Sequence, residues 1–154
     1  MWAGGVRVVV TNNDGKILLV KQKHETKEIW MLPGGTVEDD ETSQDAAIRE
    51  VLEETGYSVK VLSFAVLLEE IYDNKEVREK SFEYSHRIIY VFKVSLLSET
   101  PAKCSEKDFQ QEDTRGVSLD EIDEMVFRPS QLTGRIRSII EADTPQYFGS
   151  VRIP

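Results

Sequence analysis

The sequence predicts an α/β fold, a sandwich in which helices cover a mixed β-sheet. Short runs of β-branched and aliphatic residues indicate strands at residues 6–10, 17–20 and 87–97. Between them, residues 43–55 have the composition of an amphipathic helix, and the end of the chain again favours helices. Strands interrupted by one central helix and followed by others are typical of a layered α/β arrangement.

The predicted strands begin with a hairpin. Residues 6–10 and 17–20 flank the stretch Asn-Asn-Asp-Gly at 12–15, whose residues tolerate left-handed backbone conformations. Residues 58–71 are apolar enough for one or two strands, and residues 87–97 are rich in β-branched and aromatic side chains. We therefore expect both segments to lie in the sheet, the second of them buried.

Polar segments connect these elements. We expect loops at residues 73–85, which are strongly charged, and at residues 98–114. Two helices are predicted near the end of the chain, at residues 119–125 and at about 130–142. Because no repeat or linker-like stretch divides the sequence, residues 1–154 are predicted to form a single domain.

The composition limits the classes of function. The formal net charge of −9 argues against binding to extended nucleic acid, because such binding neutralises phosphates with lysine and arginine. No apolar run approaches the roughly 20 residues of a membrane span, and the sequence shows no signal-peptide pattern, so we expect a cytoplasmic protein without a membrane partner. The single cysteine, Cys104, can form neither an intrachain disulfide nor a cysteine-based zinc site.

The predicted helix at residues 43–55 concentrates carboxylates near its end. At roughly 100° per residue, Glu50, Glu53 and Glu54 share one side of the helix with Arg49. Like charges at these spacings each cost about 0.2–0.5 kcal/mol, and carboxylates in the last turn also face the negative end of the helix dipole. Arg49 relieves only part of this repulsion. A bound hard cation such as magnesium would convert it into coordination, since such ions take oxygen ligands.

Two adjacent glycines, Gly34 and Gly35, follow a proline ahead of this helix. Glycine permits positive φ and a close backbone approach, and a tight turn alone would account for the pair. Together with the carboxylates, the pair indicates a loop folded back beside a metal site that processes phosphate. The site is not a P-loop, because no Gly-Lys-Ser/Thr sequence follows.

The stretch GTVEDDETSQDAAIREVLEETGY at residues 35–57 resembles the Nudix box, the signature of hydrolases acting on nucleoside diphosphates linked to another moiety. Glu41 and the run REVLEETG at residues 49–56 match in register, whereas Tyr57 stands where a bulky aliphatic residue is more usual. The segment EIWMLPGG at residues 28–35 is also similar to the usual approach to the box. The resemblance implies the Nudix-type fold, an α/β/α sandwich with a mixed β-sheet.

The resemblance also implies a metal site. Glu50, Glu53 and Glu54 would ligate magnesium, or manganese in its place, and the carbonyl of Gly34 would complete the inner shell. The metal would neutralise the diphosphate and lower the pKa of a bound water, which attacks phosphorus and expels the other phosphate. We therefore expect an enzyme, a Nudix pyrophosphohydrolase whose substrate is a small nucleoside diphosphate derivative.

Further catalytic residues follow from the same resemblance. Glu41 and Arg49 would hold the loop and the helix together through charge-assisted hydrogen bonds. The general base is open, because some members of the family use a glutamate of the box and others one from a distant loop. Glu54 or Glu50 is the first choice, and Glu112 is the loop candidate. An exposed loop acid without a catalytic role is an equally good interpretation of Glu112.

Substrate selection in the family depends mainly on residues outside the box. Tyr72 lies near the position at which a subgroup acting on diadenosine polyphosphates has a tyrosine, whereas the proline of the ADP-ribose subgroup has no counterpart. Lys21 and Lys23 follow the second strand and are candidates for phosphate contacts. The alternatives are an ordinary strand-end aromatic for Tyr72 and solvated charges for the two lysines.

Two other functions stay open. A Nudix-fold domain without catalytic activity could bind a nucleotide as a regulatory signal, although the complete set of predicted ligands argues against this. Removal of 5′ phosphates from RNA, as an RNA 5′ pyrophosphohydrolase, is a second enzymatic alternative that the acidic charge disfavours. Homodimers are common in the family, and the sequence leaves the oligomeric state open.

Overall fold

The structure, a computed structural model, describes residues 3–24, 27–98, 100–102 and 111–154. The strands of the described residues are β1 (Ala3–Thr11), β2 (Ile17–His24), β3 (Lys27–Met31), β4 (Gly34–Thr36), β5 (Val59–Tyr72), β6 (His86–Leu96), β7 (Gln111–Val117) and β8 (Gln146–Ile153). The helices are α1 (Ser43–Thr55), α2 (Lys75–Lys80), α3 (Phe82–Ser85), α4 (Leu119–Asp123) and α5 (Ile136–Glu141), with a short 3₁₀ helix at Ser130–Leu132.

These strands form one mixed sheet. The main strand order is β3-β2-β1-β6-β5-β8, with β4 beside β1 and β7 beside β2. Strand β1 runs antiparallel to β2 and parallel to β6, whereas β5 runs antiparallel to β6 and parallel to β8. The predicted hairpin is present, because Thr11 pairs with Ile17 across a turn in which Gly15 has φ 72°.

Helices cover both faces of the sheet. On one face, alternate valines of β1 pack against the buried side of α1, which includes Ala47 and Val51. The other face packs against the C-terminal part of the chain through Ile122, Phe127, Leu132, Ile136 and Ile139. The predicted α/β/α sandwich is therefore confirmed. Within the described ranges, no helix is long and apolar enough to cross a membrane.

The charged segment at residues 73–85 is wrongly predicted as a loop, because it contains α2 and α3. The side chain of Asn74 caps α2 by accepting hydrogen bonds from the backbone N–H groups of Glu76 and Val77. All residues of α2 are described and none is buried. The helix therefore has no apolar face that would indicate it in the sequence.

The predicted loop at residues 98–114 is also wrong at its end. Residues 111–114 begin β7, which pairs with β2 in the sheet. Glu112 is therefore on a strand rather than in a loop, although its side chain lies outside the part of the molecule that the structure describes. Residues 103–110, which include Cys104, also lie outside it.

The end of the chain differs from the expectation of two helices. The first is the shorter helix α4, and the second divides into the 3₁₀ helix and α5, with Gly134 between them at φ 71°. After α5 the chain adds β8, a strand that the sequence analysis missed. Strand β8 lies at the edge of the sheet, and its residues are exposed or half-buried, so it lacks the apolar alternation of a covered strand.

Candidate active site

Helix α1 carries the carboxylates of the box, and its local sequence fixes both ends. The hydroxyl of Thr42 accepts a hydrogen bond from the N–H of Asp45 at 3.1 Å. Gly56 ends the helix in the left-handed conformation, with φ 78°. The helix predicted at residues 43–55 is confirmed. Ala47 is fully buried against the sheet. This fixes the rotation of the helix about its axis, and with it the position of the acidic side.

Arg49 lies at the centre of the acidic side. Its guanidinium donates to both oxygens of Glu41, from Nε at 2.7 Å and from Nη2 at 3.0 Å. Its Nη1 donates to Glu50 at 2.9 Å and to Glu53 at 3.1 Å, and Nη2 also donates to the carbonyl of Thr36 at 3.1 Å. The hydrogen bonds from Arg49 lower the pKa of Glu41. Arg49 therefore ties α1 to the loop before it and to β4.

Glu50 lies between Arg49 and the backbone of Gly35. A Cβ atom on residue 35 would collide with Oε1 of Glu50 and lie 2.6 Å from its Cδ, so only glycine leaves room for the carboxylate. Burial raises the pKa of Glu50, and the charge of Glu53 adds to this, whereas Arg49 acts against it. Gly35, the second glycine of the pair, thus allows β4 to lie close to the helix.

Glu54 is the most buried of the three helix carboxylates, at 6% exposure. On the helical wheel it lies about 20° from the buried Ala47, which accounts for its position at the edge of the core. The N–H of Gly34 donates to Oε2 of Glu54 at 3.2 Å. A Cβ atom on residue 34 would collide with the carbonyl oxygen of Val6 in β1. Gly34 therefore lets β4 pack closely on β1 while its N–H contacts the helix.

The three carboxylates supply oxygen ligands of the kind that magnesium and manganese take. In the arrangement described, they do not converge, and no group of three metal-binding side chains among the described residues is placed to hold an ion. Nη1 of Arg49 lies where it neutralises both Glu50 and Glu53. The donor set fits a hard cation, because Arg49 contacts one oxygen each of Glu50 and Glu53.

The candidate residues outside the box lie at different places on the sheet. Lys21 of β2 pairs with Trp30 of β3, and its Nζ is 5.8 Å from the centre of the indole ring. Lys23 follows on β2, but its side chain, like that of Glu112, lies outside the described residues. Strand β7, which carries Glu112, contacts α1, because the hydroxyl of Thr114 donates to the carbonyl of Glu54 at 3.2 Å.

Tyr72, at the end of β5, lies near a buried charged cluster that the sequence analysis missed. The cluster consists of Arg7, Arg87 and Glu70, whose exposures are 9%, 8% and 7%. Glu70 of β5 lies directly opposite Arg87 of β6, and Arg7 donates to the carbonyl of Leu32 at 3.3 Å. Burial raises the pKa of Tyr72, and the charge of Glu70 adds to the effect.

Arg7 connects this cluster with the helix carboxylates. Burial lowers the pKa of Arg7, and the charge of Arg87 adds to the shift. The carboxylates of Glu54, Glu70 and Glu50 oppose it, so both groups of acids influence the same guanidinium. In the sequence, the main local sign of the cluster is the single charge of Arg7 within the run GGVRVVVT at residues 4–11.

Known proteins share both the box and the fold. A Bacillus subtilis protein provisionally named 8-oxo-dGTP diphosphatase is 48% identical over 58 residues, which make up 38% of each chain. The ADP-ribose pyrophosphatase of Methanocaldococcus jannaschii is 47% identical over 55 residues, or 35% of this chain and 32% of that protein. The chain therefore aligns with only about a third of the length of these curated relatives, 38% and 32%.

Similarity of fold extends over nearly the whole chain. The solved structure of a Mutator MutT protein from Bacillus halodurans has a TM-score of 0.71 at 20% identity, with coverage of 97% of this chain and 89% of that one. A MutT Nudix hydrolase from Burkholderia pseudomallei has a TM-score of 0.67 at 21% identity, with coverage of 94% and 99%. The family model of the NUDIX domain matches residues 1–140. With its box on α1 and its sheet covered on both faces, the chain belongs to the Nudix family.

Proposed function

We propose that this Nudix protein is a metal-dependent hydrolase that cleaves a pyrophosphate linkage in a nucleotide or nucleoside diphosphate derivative. The observation that carries the proposal is the acidic side of α1, where three glutamates and Arg49 lie beside the paired glycines of β4. The two curated relatives are named as a diphosphatase and a pyrophosphatase, which supports the same type of bond. We treat residues 1–154 as one domain with this function.

Glu50, Glu53 and Glu54 would hold magnesium or manganese, with the carbonyl of Gly34 as a further ligand. When bound, the ion supplies Lewis acidity, which neutralises charge on the diphosphate and makes water more acidic. The repulsion among the carboxylates, about 0.2–0.5 kcal/mol for each close pair, favours such binding. Because the net charge of the protein is −9, an anionic substrate also depends on local positive charge at this place.

The other catalytic residues would position the reacting groups. Arg49 remains tied to Glu41 by two hydrogen bonds, which keep α1 and the preceding loop together. Glu54 or Glu50 would accept a proton from the attacking water, and Glu112 on β7 is the alternative base. The water oxygen forms a bond to phosphorus, the bond from that phosphorus to the bridging oxygen breaks, and the second phosphate leaves with the bridging oxygen.

Lys21, Lys23 and Tyr72 are the proposed substrate contacts outside the box. The two lysines of β2 would meet phosphate oxygens, and the ring of Tyr72 would contact the base. Such contacts suit a small nucleoside diphosphate derivative. Substitution of each residue should raise KM more than it lowers kcat, because these contacts form in the substrate complex as well as in the transition state.

The hydrolase proposal is tested with purified protein and a panel of nucleoside diphosphate derivatives, each with magnesium, manganese or a chelator. We expect metal-dependent release of phosphate or nucleotide from at least one compound. Glu53→Gln and Glu54→Gln should each lower turnover by about 100-fold or more, whereas Glu79→Gln, an exposed control on α2, should not. Wild-type turnover in Glu53→Gln would refute the metal assignment. A panel without any metal-dependent product would refute the proposed activity.

Product analysis in isotopically labelled water then assigns the phosphorus that is attacked, since the label enters only the product that receives the water oxygen.

The same substrate panel separates the hydrolase from the two alternative functions. Binding without turnover would indicate a regulatory nucleotide-binding module. Turnover of triphosphorylated RNA, but of no free nucleotide derivative, would indicate an RNA 5′ pyrophosphohydrolase.

A further inference from the structure

Arg87 has a buried hydrogen-bond donor that the fold does not satisfy. The residue lies on β6 and is 8% exposed. Its Nε–H has no hydrogen-bond partner among the described residues, although Glu70 lies directly opposite on β5. A buried donor of a charged group is costly to leave unpaired, and in native structures such a group usually has a specific reason.

The guanidinium of Arg87 is held from two sides. A Cβ atom on residue 5 would lie 2.5 Å from its Nη2 and 3.2 Å from its Cζ, so Gly5 of β1 makes room for the group. The ring of Tyr84 on α3 lies 5.0 Å from Cζ, within the range of a cation–π contact, and Tyr84 is 42% exposed. Tyr84 therefore covers part of the guanidinium from a partly exposed position.

Strand β1 places Arg87 close to the box. Gly5, against which the guanidinium packs, pairs with Thr36 of β4, and the carbonyl of Thr36 accepts from Arg49. Neighbouring strands are about 5 Å apart. Arg7 follows Gly5 on the same face of β1, and the charges of both Arg87 and Glu54 influence it. The unpaired donor thus lies beside Gly5, one strand away from Thr36, whose carbonyl contacts Arg49.

Several guanidiniums lie near Arg87. Glu70 is influenced by those of Arg87, Arg7 and Arg128, so this one carboxylate is shared among three cations. Guanidinium groups bind phosphate through paired N–H donors, and the Nε–H of Arg87 with a neighbouring Nη provides such a pair.

We propose that Arg87 binds a phosphoryl oxygen of the substrate's diphosphate, with Tyr84 turning aside as the substrate enters. This inference rests on the proposed function, because it takes the substrate to be a nucleoside diphosphate derivative. It adds a contact on β6 to those proposed on β2 and at Tyr72. Tyr72 on β5 is influenced by the charges of Glu70 and Arg87, so the proposed contacts on β5 and β6 lie near the same buried cluster.

The test compares Arg87→Lys with Arg152→Lys, an exposed arginine on β8. Both substitutions keep the charge, but lysine lacks the paired donors of arginine. Calorimetry measures binding of the α,β-methylene analogues of ADP and GDP, which resist hydrolysis, in the presence of magnesium. Kinetics gives KM and kcat on the compound that the panel identifies. Arg87→Lys should weaken binding and raise KM by about 10- to 100-fold, with a smaller change in kcat, and Arg152→Lys should match the wild type.

Gly5→Ala is a second variant that keeps Arg87 itself. The three atoms nearest to the added Cβ all belong to the side chain of Arg87, so the substitution displaces the guanidinium without meeting the backbone. We expect it to weaken analogue binding in the same direction. It decides the test if Arg87→Lys fails to fold, as judged by circular dichroism and thermal unfolding.

The outcomes separate this inference from the proposed function. Wild-type analogue binding and KM in the folded Arg87 and Gly5 variants would overturn the inference and leave the hydrolase activity standing. Binding that depends on Arg87, in a protein that hydrolyses no compound of the panel, would support the inference and refute the activity. A wild-type protein that neither binds nor hydrolyses these compounds would overturn both.

Discussion

Gly35→Ala should damage the proposed metal site while leaving the fold in place. The added Cβ collides with Oε1 of Glu50 and lies 2.6 Å from its Cδ, but these atoms are the end of a flexible side chain. Glu50 can move aside if it gives up its 2.9 Å hydrogen bond from Arg49, which costs about 1 kcal/mol because the pair is partly exposed. The displaced carboxylate should then be a poorer ligand for the proposed metal ion.

Gly34→Ala is the matched comparison, because the obstacle there is backbone. A Cβ on residue 34 collides with the carbonyl oxygen of Val6, and φ at this position is 157°. Neither strand can swing aside as a side chain does, so the combined cost of overpacking and backbone strain is about 2–5 kcal/mol. Gly34→Ala should therefore lower stability, whereas Gly35→Ala should lower metal affinity and turnover.

Urea unfolding and manganese titration measure the two effects separately. For Gly35→Ala, we expect a free energy of unfolding within about 1–2 kcal/mol of the wild type and a manganese Kd weaker by about 10- to 100-fold. Turnover should fall at least as far. If Gly35→Ala bound manganese and turned over substrate as the wild type does, the close approach of Glu50 to β4 would have no role in the site. A fully stable Gly34→Ala would contradict the tight packing of β4 on β1.

Three more substitutions test two contacts of the candidate site and one of the core. Arg49 lowers the pKa of Glu41, so the stability from this pair is present above the unfolded-state pKa of about 4.3 and is lost as pH falls through the lower folded pKa. The difference in unfolding free energy between wild type and Glu41→Gln should therefore shrink below about pH 4, and a constant difference down to pH 3 would contradict this. Arg49→Lys, which loses the two-point contact with Glu41, should destabilise the protein by about 1–3 kcal/mol in urea unfolding. Ile139→Ala, at a core position of 1% exposure, should cost about 2–5 kcal/mol by the same measurement, and a loss below about 1 kcal/mol would contradict the packing of α5 on the sheet.

The features that the sequence predicts well are local ones. In the sequence, helix α1 follows from a capping hydroxyl at Thr42 or Ser43, a glycine at position 56 that permits a left-handed end and an apolar side; the structure selects Thr42 as the cap. These signals lie within one segment, so no tertiary contact is needed to interpret them. The box then indicates which residues of the helix form the candidate site, because the spacing of its carboxylates places them on the same side.

The elements that the sequence predicts poorly are those without a buried face. Strand β8 lies at the edge of the sheet, where Tyr147 is 65% exposed, and its pairing with β5 decides its conformation. Helix α2 is charged at every position except Val77 and is fixed mainly by the cap at Asn74. In both cases the hydrophobic period that indicates secondary structure is missing, and contacts distant in sequence take its place.

The charged cluster was missed for a different reason, since its residues are recognisable only through strand register. Arg87 and Glu70 lie on different strands and face each other because β5 pairs with β6 in one particular alignment. A shift of one residue would send either side chain to the opposite face of the sheet. The parallel pairing of β1 with β6 then brings Gly5 beneath the same guanidinium. Neither composition nor spacing in the sequence indicates these two strand alignments.

Arg49 makes two kinds of contact on the acidic side of α1. Its Nε and Nη2 donate to Glu41, whereas Nη1 donates to both Glu50 and Glu53. One nitrogen shared by two carboxylates is a weaker partner for each than a hard cation with several coordination positions. A metal ion bound as proposed would therefore compete with Nη1 for Glu50 and Glu53 and leave the two hydrogen bonds to Glu41 in place. Without such an ion, Arg49 offsets part of the repulsion among the carboxylates, which is how the helix tolerates their crowding.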